Sequence, residues 1–268
     1  MSTDTTTADA LLLDAFAEYL QAAMRSPGTI RTRRQHLAML ARTKPGLLSL
    51  EHGDLIGYLA GQDWAQETMR SVRSSLRTFY AWAVDEQLIE HSPAVRLPSV
   101  KVGHAVPRPV PEDLLIVMEQ QCDDETLLMS RLMSHAGLRR AEVARVHRDD
   151  VTTFGLHIVG KGRRQRVVPL HPDLAPLLQA RALASSGWLF PGRFGGHCSP
   201  DYVASRLEQV LPPGYTCHKL RHRFATRAYQ GTRDLFAVQQ LLGHSQPETT
   251  ARYVLIGQDS LLAAVASM

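Results

Sequence analysis

The sequence predicts a mainly α protein with one small β-hairpin, divided into two domains. Apolar residues recur at helical spacing through most of the chain, most clearly in the segment 67–87. The segment 155–170 instead has the pattern of two strands joined by a Gly-Lys-Gly turn. Five prolines fall between residues 90 and 114, where no helical period is present. That stretch is typical of a linker between domains.

The composition is that of a globular protein that is neither secreted nor inserted in a membrane. Of the 268 residues, 44% are apolar and 21% are charged. No apolar run approaches the roughly 20 residues of a membrane span, and the first ten residues lack the features of a secretion signal. The three cysteines are odd in number and show no C-x-x-C spacing, which argues against disulfides and structural zinc. We therefore expect a cytoplasmic protein.

The formal net charge of +4 is unevenly distributed. Residues 1–95 hold 9 Lys+Arg and 11 Asp+Glu, a net of −2, whereas residues 96–268 hold 21 and 15, a net of +6. A basic C-terminal part suits a polyanionic partner such as nucleic acid but does not require one, because many globular surfaces are as basic.

The first domain is predicted to be helical over residues 10–95, after a disordered leader at 1–9. Its helices are expected at 11–24, 26–42, 52–61 and 67–87. A linker at 96–110 follows. In the second domain, 111–254, helices are expected on both sides of the hairpin, at 111–121, 124–136, 140–146, 171–183, 200–210, 217–229, 234–242 and 246–253.

Two groups of arginines mark the first domain. They are Arg31, Arg33 and Arg34 in one helix, and Arg70, Arg73 and Arg77 beside the apolar stripe of another. Either group alone is consistent with a solvated face. Because both lie in one small domain, we favour a face that follows DNA phosphates.

Residues 218–222, "HKLRH", concentrate two histidines and two cations in five positions. A zinc protease would need a glutamate between histidines four residues apart. Here the positive charges of Lys219 and Arg221 would instead repel a bound dication. The sequence therefore predicts no metal here. A phosphodiester transition state, by contrast, carries increased negative charge on its oxygens, and arginine binds such oxygens bidentately. His and Lys can transfer the protons that the reaction requires.

Other segments supply the remaining parts that such a reaction needs. Arg139 is followed three residues later by Glu142, which is placed to hold it. Lys161 lies on the hairpin turn. His244 and, nine residues on, Tyr253 lie near the end of the chain.

The four motifs "AGLRRAE", "GKGRRQRVVPL", "HKLRHRFATRAYQG" and "LLGHSQPETTARYV", in this order and spacing, resemble the catalytic domain of the tyrosine recombinases, the phage integrase family. The resemblance spans about 111–254, and the helical first domain is similar to the family's SAM-like core-binding domain. Each motif alone is weak, and only the joint pattern is specific. A mixed α/β catalytic domain behind a helical core-binding domain is the fold that the resemblance implies.

The resemblance also implies a role for each matching residue. Tyr253 would be the nucleophile, His218 its base or orienting group, and Lys161 the general acid. Arg139 and Arg221 would clamp the non-bridging oxygens, and His244 would donate to one of them. Supporting roles fall to Glu142, which would orient Arg139, and to His222. Arg163, Arg164 and Arg166 on the hairpin are either DNA contacts or plain surface.

Further expectations follow from the same resemblance. The enzyme would use no metal and no cofactor, act on double-stranded core-type sites, and assemble as a tetramer on two duplexes through a tail at 255–268 containing Leu261 and Leu262. The apolar end of that tail also resembles a degradation signal. A temperate phage integrase, with an accessory directionality factor, is the first interpretation. A Xer-like resolvase, a transposon recombinase and a catalytically silent DNA-binding regulator are the alternatives.

Overall fold

The computed structural model describes residues 2–100, 108–160 and 164–243, of which 2–5 are described by backbone alone. The chain divides into two compact units, Met1–Gly103 and His104–Met268. Within the described ranges, no helix combines the length and apolar character needed to cross a membrane. The mostly helical composition with one small sheet confirms the predicted fold class.

The first unit is built from four helices. They are α1 (Ser2–Ala22), α2 (Pro27–Thr43), α3 (His52–Ala60) and α4 (Gln66–Asp85), with a short 3-10 helix at Leu47–Ser49 between α2 and α3. α2 begins where the sequence predicts, because the Ser26 hydroxyl accepts a hydrogen bond from Thr29 N at 3.2 Å and Pro27 occupies the first turn.

The predicted apolar stripe of α4 forms the centre of this unit. Of its predicted members, Val72, Leu76, Phe79, Tyr80 and Ala83 are buried, and Met69 is partly buried against the same core. Aromatic side chains from α1 pack onto the stripe: the rings of Phe16 and Phe79 meet edge to face with centroids 5.3 Å apart. The buried Tyr80 hydroxyl is satisfied by donating to Leu47 O at 2.8 Å. Helix periodicity therefore locates this core correctly.

Residues 2–9 of the predicted disordered leader at 1–9 form the first turns of α1. α1 begins at Ser2, and Asp9 is buried within it. The two carboxylate oxygens of Asp9 accept hydrogen bonds from Gly46 N at 2.8 Å and Leu47 N at 2.9 Å. This contact joins segments 37 residues apart, so the local sequence around Asp9 carried no signal of it.

The predicted linker at 96–110 is also too wide. Leu97 is buried in the core of the first unit, and its carbonyl accepts two hydrogen bonds from Arg73, at 3.2 and 2.7 Å. At the other end, Val110 is buried in the core of the second unit. The ends of the predicted linker therefore belong to the units that they adjoin.

The second unit surrounds a three-stranded antiparallel sheet with helices. The strands are β1 (Val151–Thr152), β2 (Gly155–Val159) and β3 (Gln165–Val168), in the order β1-β2-β3. Leu156 pairs with both Val151 and Val168. The β2–β3 hairpin is the predicted one, whereas β1 has only two residues and is too short to leave a periodic signal in the sequence.

Seven helices complete the second unit in the described ranges. They are α5 (Glu112–Gln120), α6 (Asp124–Ser134), α7 (Arg140–Val143), α8 (Ala175–Ala184), α9 (Pro200–Glu208), α10 (Cys217–Thr232) and α11 (Leu235–Leu242). The predicted helix 246–253 lies outside the described residues. α7 is shorter than predicted, and its single turn sets the position of Arg139 and Glu142.

We predict that Asp9→Ala lowers the free energy of unfolding by about 1–3 kcal/mol, because the buried N–H of Leu47 and the part-buried N–H of Gly46 lose their acceptor. Urea denaturation of the full chain measures the effect. Asp14→Ala is the matched control, since Asp14 lies in the same helix but makes an exposed ion pair with Arg34, which contributes little. Equal stabilities of the two variants would contradict the role of Asp9.

Candidate active site

A buried carboxylate, that of Glu142, lies at the centre of the site. Its side chain is only 5% exposed. Oε1 accepts from Arg139 Nη1 at 2.8 Å and from Arg166 Nη1 at 3.1 Å, while Oε2 accepts from Arg166 Nη2 at 2.8 Å. Arg221 Nη1 lies 3.7 Å from Oε2. Three arginines from different parts of the chain therefore share one carboxylate.

The geometry of α7 brings Glu142 and Arg139 together. Arg139 precedes the first turn of the helix, and Glu142 reaches back to accept a hydrogen bond from Arg139 N at 2.9 Å. The same carboxylate thus caps the helix and pairs with the Arg139 guanidinium. This is the contact expected from their spacing of three residues.

Burial raises the pKa of the Glu142 carboxyl, but the hydrogen bonds and charges of Arg166 and Arg139 lower it by more, so the net shift is downward. Glu142 is therefore ionised at neutral pH. Three guanidinium cations against one carboxylate leave a local charge of +2. The cluster can attract an anion.

Arg139 is the most exposed of the three arginines. Its side chain is 35% exposed, and one nitrogen of the guanidinium is used on Glu142. A guanidinium has five N–H donors, so this arrangement can present several of them to a ligand from solvent.

Arg221 is held by backbone carbonyls. Its side chain is 1% exposed, Nη1 donates to Gly137 O, and Nη2 donates to Leu242 O at 2.6 Å. Gly137 has φ +66°, and a Cβ there would lie 2.4 Å from the Phe224 ring, so only glycine allows this approach. The glycine of the "AGLRRAE" motif thus allows α10 to carry Arg221 into the cluster.

His218 and His222 lie one turn apart on α10, with ring centroids 4.6 Å apart and planes at 73°. Desolvation lowers the pKa of His218, with help from the charges of Arg221 and Arg139. Desolvation and the neighbouring His218 lower the pKa of His222 to about 3. Both imidazoles are therefore neutral at pH 7, and a neutral imidazole can accept a proton.

Arg166 is not the surface residue that the sequence suggested. Its side chain is 10% exposed, Nε donates to Leu241 O at 2.8 Å, and the other two nitrogens bind Glu142. A Cβ at Gly243, where φ is +62°, would lie 3.1 Å from Arg166 Nη1. Arg166 therefore links β3 to the end of α11 and to Glu142, and its three guanidinium nitrogens are used by these protein partners.

Of the other hairpin arginines, Arg164 is exposed as expected, and Arg163 lies outside the described residues. In the first unit Arg31, Arg70 and Arg77 are exposed, and so is Arg34, which pairs with Asp14. Arg33 and Arg73 are half-buried and also hold their own domain together. Arg33 donates to Ser74 O at 2.9 Å, and Arg73 donates to Leu97 O.

Lys161, His244 and Tyr253 also lie outside the described residues, but the residues that precede two of them belong to the cluster. A Cβ on Gly160 would lie 3.3 Å from Glu142 Oε1, and Gly160 N donates to Arg164 O at 2.8 Å. Lys161 follows Gly160 in the chain. His244 follows Gly243, where an added Cβ would lie 3.1 Å from Arg166 Nη1.

We predict that Arg166→Ala destabilises the protein by roughly 3–5 kcal/mol, the cost of removing one partner of a buried ion pair. Arg164→Ala is the matched control on the same hairpin and should change stability by less than about 0.5 kcal/mol. Urea denaturation compares the two variants. A wild-type midpoint for Arg166→Ala would show that Arg166 is a surface residue after all.

We predict that stability falls as pH is lowered from 7.5 to 5.0, and that His222→Gln reduces this fall. In the folded chain the pKa of His222 is about 3, whereas in the unfolded chain it is about 6.5. Between these values the unfolded state binds the additional proton, so stability is lost as pH falls below about 6.5. Denaturation at each pH, with His157→Gln as an exposed control, measures the effect. The same pH dependence in both variants would contradict it.

Comparison with known proteins identifies the sequence family. Residues 110–257 match the model described as "Phage integrase family", and residues 13–87 match "Phage integrase, N-terminal SAM-like domain". Tyrosine recombinase XerC of Neisseria meningitidis serogroup B is 30% identical over 279 residues, which covers 94% of this chain and 93% of that protein. Further relatives of 28–32% identity carry the same name.

Solved structures share the fold. A lambda integrase (75–356) dimer bound to a COC′ core site has a TM-score of 0.73 at 17% identity, covering 91% of this chain and 94% of the other. A lambda integrase tetramer bound to a Holliday junction has a TM-score of 0.69 at 17% identity, covering 89% and 77%. At these identities the likeness concerns the fold alone.

Proposed function

The chain belongs to the phage integrase family and is a tyrosine-type site-specific recombinase, and we propose that it cuts and rejoins DNA through a 3′-phosphotyrosyl bond to Tyr253. The observation that carries the proposal is the sharing of Glu142 by Arg139 and Arg221. Two arginines fixed by one buried carboxylate form a preorganised site for a phosphate.

The charge of the cluster matches the reaction. Attack on phosphorus places negative charge on the non-bridging oxygens, and arginine stays protonated at every relevant pH. The donors of Arg139 and Arg221 stabilise that charge without reorganising, since Glu142 and the carbonyls of Gly137 and Leu242 already hold them. His244, next to Gly243 in the chain, adds a donor to a phosphate oxygen.

His218 is suited to accept the proton of Tyr253. A free tyrosine has a pKa near 10, so only about 0.1% is ionised at pH 7. Because the pKa of His218 is lowered, its imidazole is neutral and has a lone pair available for the phenol proton. His222 packs against the His218 ring and fixes its orientation.

The steps balance without an external energy source. The Tyr253 oxygen bonds to phosphorus as its proton passes to His218, and the bond to the 5′-oxygen breaks as Lys161 gives that oxygen a proton. The phosphotyrosyl bond keeps the energy of the phosphodiester. A 5′-hydroxyl from a second duplex then attacks the phosphorus and gives its proton to Lys161, while the bond to Tyr253 breaks and His218 returns a proton to the tyrosine. Strand exchange in this way passes through a Holliday junction.

The partners are double-stranded core sites and further copies of the chain. The exposed arginines Arg31, Arg70, Arg77 and Arg164 supply charge for phosphate contacts. A tetramer on two duplexes brings together the strands that are exchanged, and the lambda integrase tetramer on a Holliday junction supports this arrangement. The tail at 255–268 as a docking segment, and an accessory directionality factor, stay predictions. Such an enzyme acts on DNA in the bacterial cytoplasm.

The biological role that the relatives favour is that of a resolvase. The sequence alone led to a temperate phage integrase as first interpretation, but relatives aligned over nearly the whole chain are named XerC. We therefore propose a Xer-like recombinase that acts on sites of the bacterial chromosome, with phage integration as the second candidate because both family models carry that name.

We predict that the purified protein forms a covalent adduct with a nicked suicide duplex and that Tyr253→Phe abolishes it while DNA binding persists. A library of host genomic fragments in this format, read on a denaturing gel and sequenced, maps the cleaved site. A chromosomal site that remains in strains without prophage supports the resolvase, whereas a prophage junction supports the integrase. Binding without any adduct would instead indicate a catalytically silent regulator.

We predict that the Lys161→Ala variant does not cleave ordinary DNA. The same variant should cleave a substrate whose 5′-bridging oxygen is replaced by sulfur. A thiolate leaves without a proton because a thiol has a pKa near 8.5, so a general acid is no longer needed. Arg139→Ala is the control and should stay inactive on both substrates, since its role is charge stabilisation. Lack of rescue for Lys161→Ala would exclude it as the general acid.

A further inference from the structure

His135, His171 and Asp173 form a second cluster of functional side chains, and the reaction proposed above does not use it. Each residue offers a ligand atom, and the three atoms lie within 4.8 Å of one another. The rings of His135 and His171 meet edge to face with centroids 4.8 Å apart. We propose that these residues bind a transition-metal dication, Zn²⁺ in the first place, that joins the end of α6 to the segment after β3.

The donor set fits Zn²⁺. Imidazole nitrogens and a carboxylate oxygen are ligands of this ion, and sites with three protein ligands keep a fourth position for water. Tetrahedral bonds of about 2.0–2.2 Å place ligand atoms about 3.4 Å apart, so no pair of ligand atoms must approach by more than about 1.4 Å. His171 and Asp173 are exposed and free to make this small movement.

The surroundings of each ligand also suit the ion. Nδ1 of His135 shares a hydrogen bond of 2.8 Å with the Ser134 hydroxyl, which leaves Nε2 for a metal when Nδ1 carries the hydrogen. A local turn places these two ligands together, and Asp173 N donates to His171 Nδ1 at 3.2 Å. When His171 binds an ion through Nε2, Nδ1 carries the hydrogen and this bond is given up. All three side chains line a cavity of about 510 Å³, which has room for the water ligand.

Nearby cations would oppose a dication if they were uncompensated. Arg131 pairs with Glu119 at 3.0 Å, and Arg223 and Arg227 both pair with Glu112. These three guanidinium groups are therefore paired with two carboxylates. With the carboxylate of Asp173, the net charge of the six groups is zero. A dication thus enters a neutral environment and not a positive one.

The position of the site gives binding a structural consequence. His135 directly follows α6 and lies two residues before Gly137, whose carbonyl holds Arg221. His171 follows β3, which carries Arg166. A metal bound between these two segments would link the segment that holds Arg221 to the strand that carries Arg166. It would also stabilise the folded chain, because it binds the folded state in preference to the unfolded state.

The test uses the full chain, purified without a histidine tag and freed of metal by a chelator. Titration with ZnCl₂ by calorimetry should give one equivalent bound, with a rise in the melting temperature. Titration with CoCl₂ should give a visible absorption band of a low-symmetry site. His171→Ala and Asp173→Asn replace exposed ligands, so both variants should fold, and each should weaken Zn²⁺ binding more than about 10-fold.

Two control variants separate this site from other histidines. His157→Ala removes an exposed histidine on β2, and His222→Gln breaks the neighbouring pair on α10. Both should bind Zn²⁺ as the wild type does. The proposal would be overturned if Zn²⁺ binding survived in His171→Ala and Asp173→Asn, or if it were lost only in His222→Gln. It would also be overturned if a tenfold excess of ZnCl₂ gave the wild type no heat of binding and no thermal shift.

Discussion

The structure of the site depends on the burial of one ionised carboxylate. Removing the charge of Glu142 from water is costly unless cations and hydrogen bonds replace the water. Arg166 and Arg139 supply these, and Arg221 adds a third charge at 3.7 Å. Because the arginines come from the residue before α7, from β3 and from α10, satisfying Glu142 fixes three elements relative to one another.

The same constraint explains how the cluster can serve a phosphate. Arginines that were free in solvent would each lose side-chain entropy on closing around the anion. Here Arg221 is held in place by two carbonyls, and only Arg139 keeps a substantially exposed guanidinium. Arg166 also neutralises the charge of Glu142, but its guanidinium is bound to Leu241 O and to that carboxylate. Arg139 thus has the most exposed donors of the cluster, while Arg221 and Arg166 are held in place by protein acceptors.

The sequence predicted those features that depend on local pattern. The stripe of α4, the hairpin and the spacing of Arg139 and Glu142 follow from periodicities of a few residues, and the structure has all three. Features set by distant partners were missed. Asp9 is ordered by backbone groups 37 residues away, and Arg166 is buried by the end of α11, 75 residues on. A charged residue in a hairpin gives no local sign that it faces inward.

The cluster of His135, His171 and Asp173 was missed for the same reason. Metal sites are recognised in sequence by short, regular spacings, and here 36 residues separate the two histidines. They meet because the segment after β3 lies against the end of α6. Topology, and not spacing, creates both this cluster and the contact between Arg166 and Glu142.

The charge of Glu142 is most directly tested by Glu142→Gln, which keeps the size of the side chain. Single-turnover cleavage of the suicide duplex should fall by about 100-fold or more, as when a preorganised donor is lost, while DNA affinity, carried by exposed arginines, stays close to that of the wild type. Measurement well below the melting temperature of the variant separates this effect from unfolding. Cleavage at the wild-type rate would contradict the account, because the arginines would then not depend on Glu142.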